Sequence, residues 1–134
     1  MSTGFQQRIK ERLPARPESV APLRRAVVAY AGSSGASDRQ CEDIALAVSE
    51  ALSNAVVHAY VGHDRPGEVA IEACVGDGVL HVEVCDAGGG MLPRTDSPGL
   101  GLGLALMGRI TERLELESHD AMPGVCVRMT FAIG

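Results

Sequence analysis

Tryptophan is absent from the 134 residues, and tyrosine and phenylalanine occur twice each. A core without them must be built from Ala, Val, Leu, Ile and Met, and few rings remain on which bases could stack. Positive charge is also scarce: 12 Lys and Arg stand against 17 Asp and Glu, a formal net charge of -5. Such a surface has no electrostatic attraction for phosphodiester backbones or anionic lipid, which argues against direct nucleic-acid and membrane binding. No apolar run nears the roughly 20 residues that cross a bilayer. The N-terminal MSTGFQQRIK has no hydrophobic signal core. The expected location is the cytoplasm. No C-x-x-C pair occurs among Cys41, Cys74, Cys85 and Cys126. Three pairings are conceivable, but nothing points to an oxidising compartment, so all four are read as reduced packing residues.

Hydrophobic residues make up 46% and charged residues 22%, the balance of a folded chain, and the length suits one domain over 1–134. Residues 1–4 read as a disordered start. An edge strand is expected over 6–13, ended by Pro14 and Pro17. A helix over 19–31 follows from the spacing of Leu23, Val27 and Tyr30. Ser37 or Asp38 caps a second helix reaching about residue 60, with Cys41, Ile44, Val48, Leu52 and Val56 as its core stripe. Alternating runs over 68–75 and 79–85 flank Gly76-Asp77-Gly78, a hairpin by its turn chemistry. A loop over 87–99, a third helix near 101–112 and strands over 114–118 and 125–133 complete the chain. The order βααββαββ predicts an α+β fold, a two-layer α/β sandwich. Its sheet is expected to be mixed, largely antiparallel, and covered on one face by three helices.

Three features carry chemistry. Glu50, Asn54 and His58 are four residues apart on the second helix, a line drifting about 40° per step. Ala47, Ala51 and Ala55 beside it leave room for a ligand, though a polar line can equally be a solvated helix face. Asp86 ends an apolar strand and is followed by Gly88, Gly89 and Gly90. A strand-end carboxylate can accept from a base amine while glycines let the backbone approach, or it can cap a tight turn. Gly99, Gly101 and Gly103 alternate with Leu100, Leu102 and Leu104 where the third helix begins, and amides bare of side chains at a helix start suit phosphate. No Lys-Ser/Thr follows, which excludes a Walker A loop, and the glycine spacing is not that of a Rossmann fingerprint.

Together these features resemble the GHKL (Bergerat) ATP-binding fold of histidine kinases, gyrase-type ATPases and Hsp90. Glu50, Asn54 and His58 resemble its N box, Asp86-x-Gly88-x-Gly90 its G1 box and Gly101-x-Gly103 its G2 box, over residues 6–131. Within it, the phrase from Ser49 to Tyr60, SEALSNAVVHAY, is similar to the S-E-A-x-x-N-A-x-x-H-x-Y of the anti-sigma factor serine-protein kinases, the RsbW-like group.

That resemblance implies an anti-sigma factor and kinase that binds ATP with Mg²⁺ and phosphorylates a serine on an anti-anti-sigma (STAS-type) partner. It makes Glu50 the catalytic base and Asn54 the metal ligand. Asp86, Gly88 and Gly90 become the adenine site, with His58 shaping the pocket. Gly101, Leu102 and Gly103 hold phosphate. It also implies a sigma factor as partner, a homodimer, and partner contact at Arg24. Two departures stand out. Val125 follows Gly124 where the group has Thr, and the lid over 91–100 is short, with Arg94 its one cation. They keep open a second reading, a non-catalytic nucleotide-binding interaction switch of the same fold.

Overall fold

Inward-facing valines, leucines and isoleucines on alternate positions of four strands dictate the architecture, because one face of the sheet must be covered. The computed structural model describes residues 8–60, 67–86, 107–118 and 125–134. Its strands are β1 (Ile9–Pro14), β2 (Glu68–Gly76), β3 (Val79–Asp86), β4 (Arg113–Ser118) and β5 (Val125–Ala132). They form one sheet in the order β1-β2-β3-β5-β4, and all four pairings are antiparallel. Two helices, α1 (Val20–Ser33) and α2 (Asp38–Tyr60), cover its inner face. Of the third expected helix, residues 107–110 are helical, and they bury Met107 in the same core.

Local chemistry sets the boundaries. Ser37 and Gln40 form a capping box at the start of α2. The Gln40 amide donates to Ser37 Oγ at 3.1 Å and the Ser37 amide donates to Gln40 Oε1 at 2.8 Å, so Ser37 is the cap. The same Gln40 Oε1 accepts from the amide of Gly134 at 3.2 Å, tying the last residue to the helix start. Between β2 and β3, Asp77 (φ 54°) and Gly78 (φ 74°) are both left-handed, as a two-residue hairpin turn requires. Pro14 does not end β1 but is its last residue, opposite Glu68. An edge strand has no ladder on its open side, so the missing N–H costs little there.

The core is aliphatic, as a chain poor in rings requires. Leu23 and Val27 of α1 and Ile44, Ala47, Val48, Ala51 and Leu52 of α2 pack on Val69, Ile71, Leu80, Val82, Val84, Met129 and Phe131 of the sheet. The outer face is polar and crossed by ion pairs, Arg8–Glu72 at 2.8 Å and Arg128–Glu83 at 2.7 Å. Both are solvent-exposed, so each contributes little. Burial of the inner face dominates stability. Leu52→Ala is expected to destabilise the fold by about 2–5 kcal/mol, read as a lower urea midpoint.

One expectation is overturned. Cys85 and Cys126 are not two reduced thiols but a disulfide, with sulfurs 2.02 Å apart, while Cys41 and Cys74 are free. The reason is tertiary: β5 lies beside β3, and their register sets Cys85 directly opposite Cys126 on the outer face.

Candidate nucleotide site

Asp86 reaches the site through strand alternation. Leu80, Val82 and Val84 point into the core, and the next step of two carries Asp86 to the same face, where it is 7% exposed. A buried carboxylate is costly unless something polar meets it. At this end of the sheet β3 stops opposite Val69, the start of β2. Six residues separate Tyr60, the end of α2, from Gly67. The C-terminal half of α2 and Asp86 therefore belong to the same end of the sandwich.

Burial along α2 separates the two readings of its polar line. Positions 44, 47, 48, 51, 52, 55 and 56 are buried, while Leu46, Ser53 and Val57 are exposed. Glu50 and Asn54 fall between these stripes and are half-buried. They are not on the solvated face. The opposite flank of α2 meets α1, where Arg24 Nη1 donates to Ser49 Oγ at 3.5 Å. α2 packs over β2, β3 and β5, and Met107 of the short helical turn is buried in the same core. Glu112 there donates its amide to Thr130 O at 2.7 Å.

Among the described residues, neither Glu50 nor Asn54 makes a side-chain hydrogen bond or ion pair. One turn apart, their Cβ atoms are about 5–6 Å from each other. An acid and an amide oxygen side by side and half-buried are a hard-oxygen donor set of the kind that Mg²⁺ takes through one or two protein ligands, while Ala47, Ala51 and Ala55 are packed into the core and leave no space beside it. The residues present fit a metal-bound nucleotide.

His58 lies within α2, with its side chain outside the described residues. Gly88, Gly90, Gly101, Leu102 and Gly103 lie outside them altogether, as does the lid over 91–100. Val125 opens β5 and is buried, at the same end of the sheet as Asp86. Arg24 is half-buried at a shallow groove lined by Val20, Ala21, Ser53, Val56 and Val57. Ser49, its partner, adjoins Glu50, a link from α1 to the candidate base that sequence spacing alone did not single out.

Residues 13–131 match the histidine kinase-like ATPase domain family. The chain belongs to that family. Its curated relatives include the serine-protein kinase RsbW of Bacillus pumilus (strain SAFR-032), 34% identical over 138 residues, with 91% of this chain and 83% of the relative aligned. The serine-protein kinase RsbW of Bacillus subtilis (strain 168) is 35% identical over 137 residues, with the same coverage. Membership thus extends to the RsbW serine-protein kinases, and an ATPase domain of this family uses ATP.

Solved structures also share the fold. The RsbU and RsbW domains of a Mycobacterium tuberculosis protein superpose with a TM-score of 0.74 at 21% identity over 95% of this chain. This chain spans 32% of that solved chain. The histidine kinase domain of the Erythrobacter litoralis blue-light activated histidine kinase gives a TM-score of 0.58 at 22% identity, covering 90% of this chain and 62% of that one. Among the described residues no helix is long and apolar enough to cross a membrane.

Proposed function

We infer that the chain is an anti-sigma factor and serine-protein kinase that binds Mg·ATP and phosphorylates a serine of an anti-anti-sigma protein. The observation that carries this reading is the half-buried Glu50–Asn54 pair, without a partner among the described residues and at the helix flank next to the buried Asp86 end of the sheet. Phosphoryl transfer asks a protein mainly for positioning and charge neutralisation.

Each residue has a role on that reading. The Asp86 carboxylate accepts from the adenine amine, and its burial strengthens the bond. Asn54 holds the metal through its amide oxygen. Glu50, one turn earlier, takes the proton of the incoming serine hydroxyl. Gly88 and Gly90 let the base lie against backbone, the amides of Gly101, Leu102 and Gly103 receive phosphate, and His58 borders the pocket. An Mg²⁺ ion held by Asn54 would supply positive charge to offset what develops on the transferred phosphoryl group.

The partners on this reading are a sigma factor and a small STAS-type protein, both cytoplasmic, and the working unit is a homodimer. Arg24 and the apolar groove beside it give the partner an anchor away from the nucleotide. The test is transfer of the γ-phosphoryl group from labelled ATP to candidate anti-anti-sigma proteins. Label on a partner serine, dependent on Mg²⁺, is the expected result. ATP binding without transfer to any of them would instead identify a non-catalytic interaction switch.

A further inference from the structure

The disulfide ends a ladder. Among the described residues Cys85↔Cys126 is the last register pair joining β3 to β5, and the next residue of β3, Asp86, stands opposite Val69 of β2. Cys85 faces outward and Asp86 inward, so one peptide unit couples a sulfur on the open face to a carboxylate on the closed one. The ends of ladders open first when a sheet fluctuates. A covalent link at that position holds β3 and β5 together at the last rung before Asp86.

Glu83, Cys85 and Cys126 bring their ligand atoms within 4.8 Å of one another. Glu83 is already held by Arg128 at 2.7 Å, and the two sulfurs are bonded to each other. Thiol–disulfide chemistry therefore fits this cluster better than metal binding. The two cysteines are also unequal. Cys85 is half-buried, whereas Cys126 is 2% exposed.

We propose that Cys85–Cys126 is a redox-responsive bridge, exchanging with a low-molecular-weight thiol–disulfide couple, that tightens nucleotide binding when closed and loosens it when open. This rests on the reading of Asp86 as the base acceptor. In the reducing step, an external thiolate attacks the accessible Cys85 sulfur, the bond to Cys126 breaks, and Cys126 leaves as thiolate and takes a proton. A second external thiolate then attacks the external sulfur of the mixed disulfide and releases Cys85. The balance is one protein disulfide plus two thiols giving two protein thiols plus one small disulfide, with two electrons entering the protein. Closure is the reverse, with Cys85 attacking the small disulfide and Cys126 resolving the mixed one. A compartment that keeps thiols reduced, where the proposed partners lie, favours such a transient use of a disulfide over a permanent staple.

The test measures Mg·ATP affinity of the full chain by calorimetry after equilibration with reduced or oxidised glutathione, with thiol state checked by alkylation and mass. The oxidised protein is expected to bind about 5–10-fold more tightly, within the usual range of coupling between sites. Reciprocally, saturating Mg·ATP shifts the midpoint potential of the pair toward the more reducing side, by about 30 mV for a tenfold coupling. Cys85→Ser is expected to show the weaker affinity under both conditions, and Cys41→Ser to respond like the parent. Amide exchange of residues 84–86 and 125–127 is expected to quicken on reduction. Equal, measurable affinity in both thiol states overturns the coupling alone. No affinity in either state overturns the nucleotide reading and the coupling with it. A pair that does not exchange with glutathione in the folded protein also overturns the proposal.

Discussion

Glu50→Gln is expected to lower phosphoryl transfer to the partner serine by about 10²–10⁴-fold, the usual contribution of a positioned general base. That corresponds to about 3–5 kcal/mol of barrier. The substitution is isosteric and removes only the charge and the proton-accepting capacity. Glu50 is half-buried at the flank of α2 and makes no ion pair with a described residue, so nothing described in the fold depends on its charge. Mg·ATP affinity should change by less than about threefold, and the melting temperature should be unmoved. Glu42→Gln, on the exposed side of the same helix, serves as the control and should transfer normally. Initial rates with saturating ATP decide the matter. If Glu50→Gln retains transfer within a factor of about ten, Glu50 is not the base, because a carboxamide cannot accept that proton.

Asp86→Asn should act on binding rather than on the chemical step. Asp86 is 7% exposed and lies on the same face of β3 as Val84. A hydrogen bond from a base amine to a buried carboxylate is charge-assisted and is worth about 1.5–3 kcal/mol. Losing that assistance should weaken ATP binding by about 10–150-fold, since each 1.4 kcal/mol is a factor of ten. Specificity offers a second readout. Guanine presents a carbonyl where adenine presents its amine, so the parent carboxylate meets acceptor with acceptor and GTP is refused. Asparagine can turn its amide to donate instead, so the preference for ATP over GTP should narrow by at least about tenfold. Unchanged ATP affinity in a variant that melts normally would remove Asp86 from the base site.

Much of the fold is legible because its signals are local. The capping residues Ser37 and Asp38 announce where α2 starts, though only the structure chooses Ser37, and the helical period from Ile44 to Val56 announces its buried side. Asp77-Gly78 announces the hairpin, because both positions demand left-handed backbone. The candidate site is legible only halfway. A line of Glu50, Asn54 and His58 on α2 reads equally well as a solvated face or as a ligand face. What separates the two is which flank the neighbouring elements bury, and that depends on α1 lying against Ser49 on the other side. The bridge of Cys85 to Cys126 was not legible at all. The residues are 41 apart in sequence, and their meeting requires β5 to enter the sheet between β3 and β4.

The chain alone determined its elements, its aliphatic core and the residue types available for phosphoryl transfer, because helical and strand periodicities and turn chemistry act over a few residues. Only the tertiary structure decided strand order and register, and with them the burial of Asp86, the half-buried flank of Glu50 and Asn54, and the pairing of two cysteines. The physical reason is that distant strands choose partners by how well their apolar faces close together. A register slip of one residue would turn every inward side chain outward.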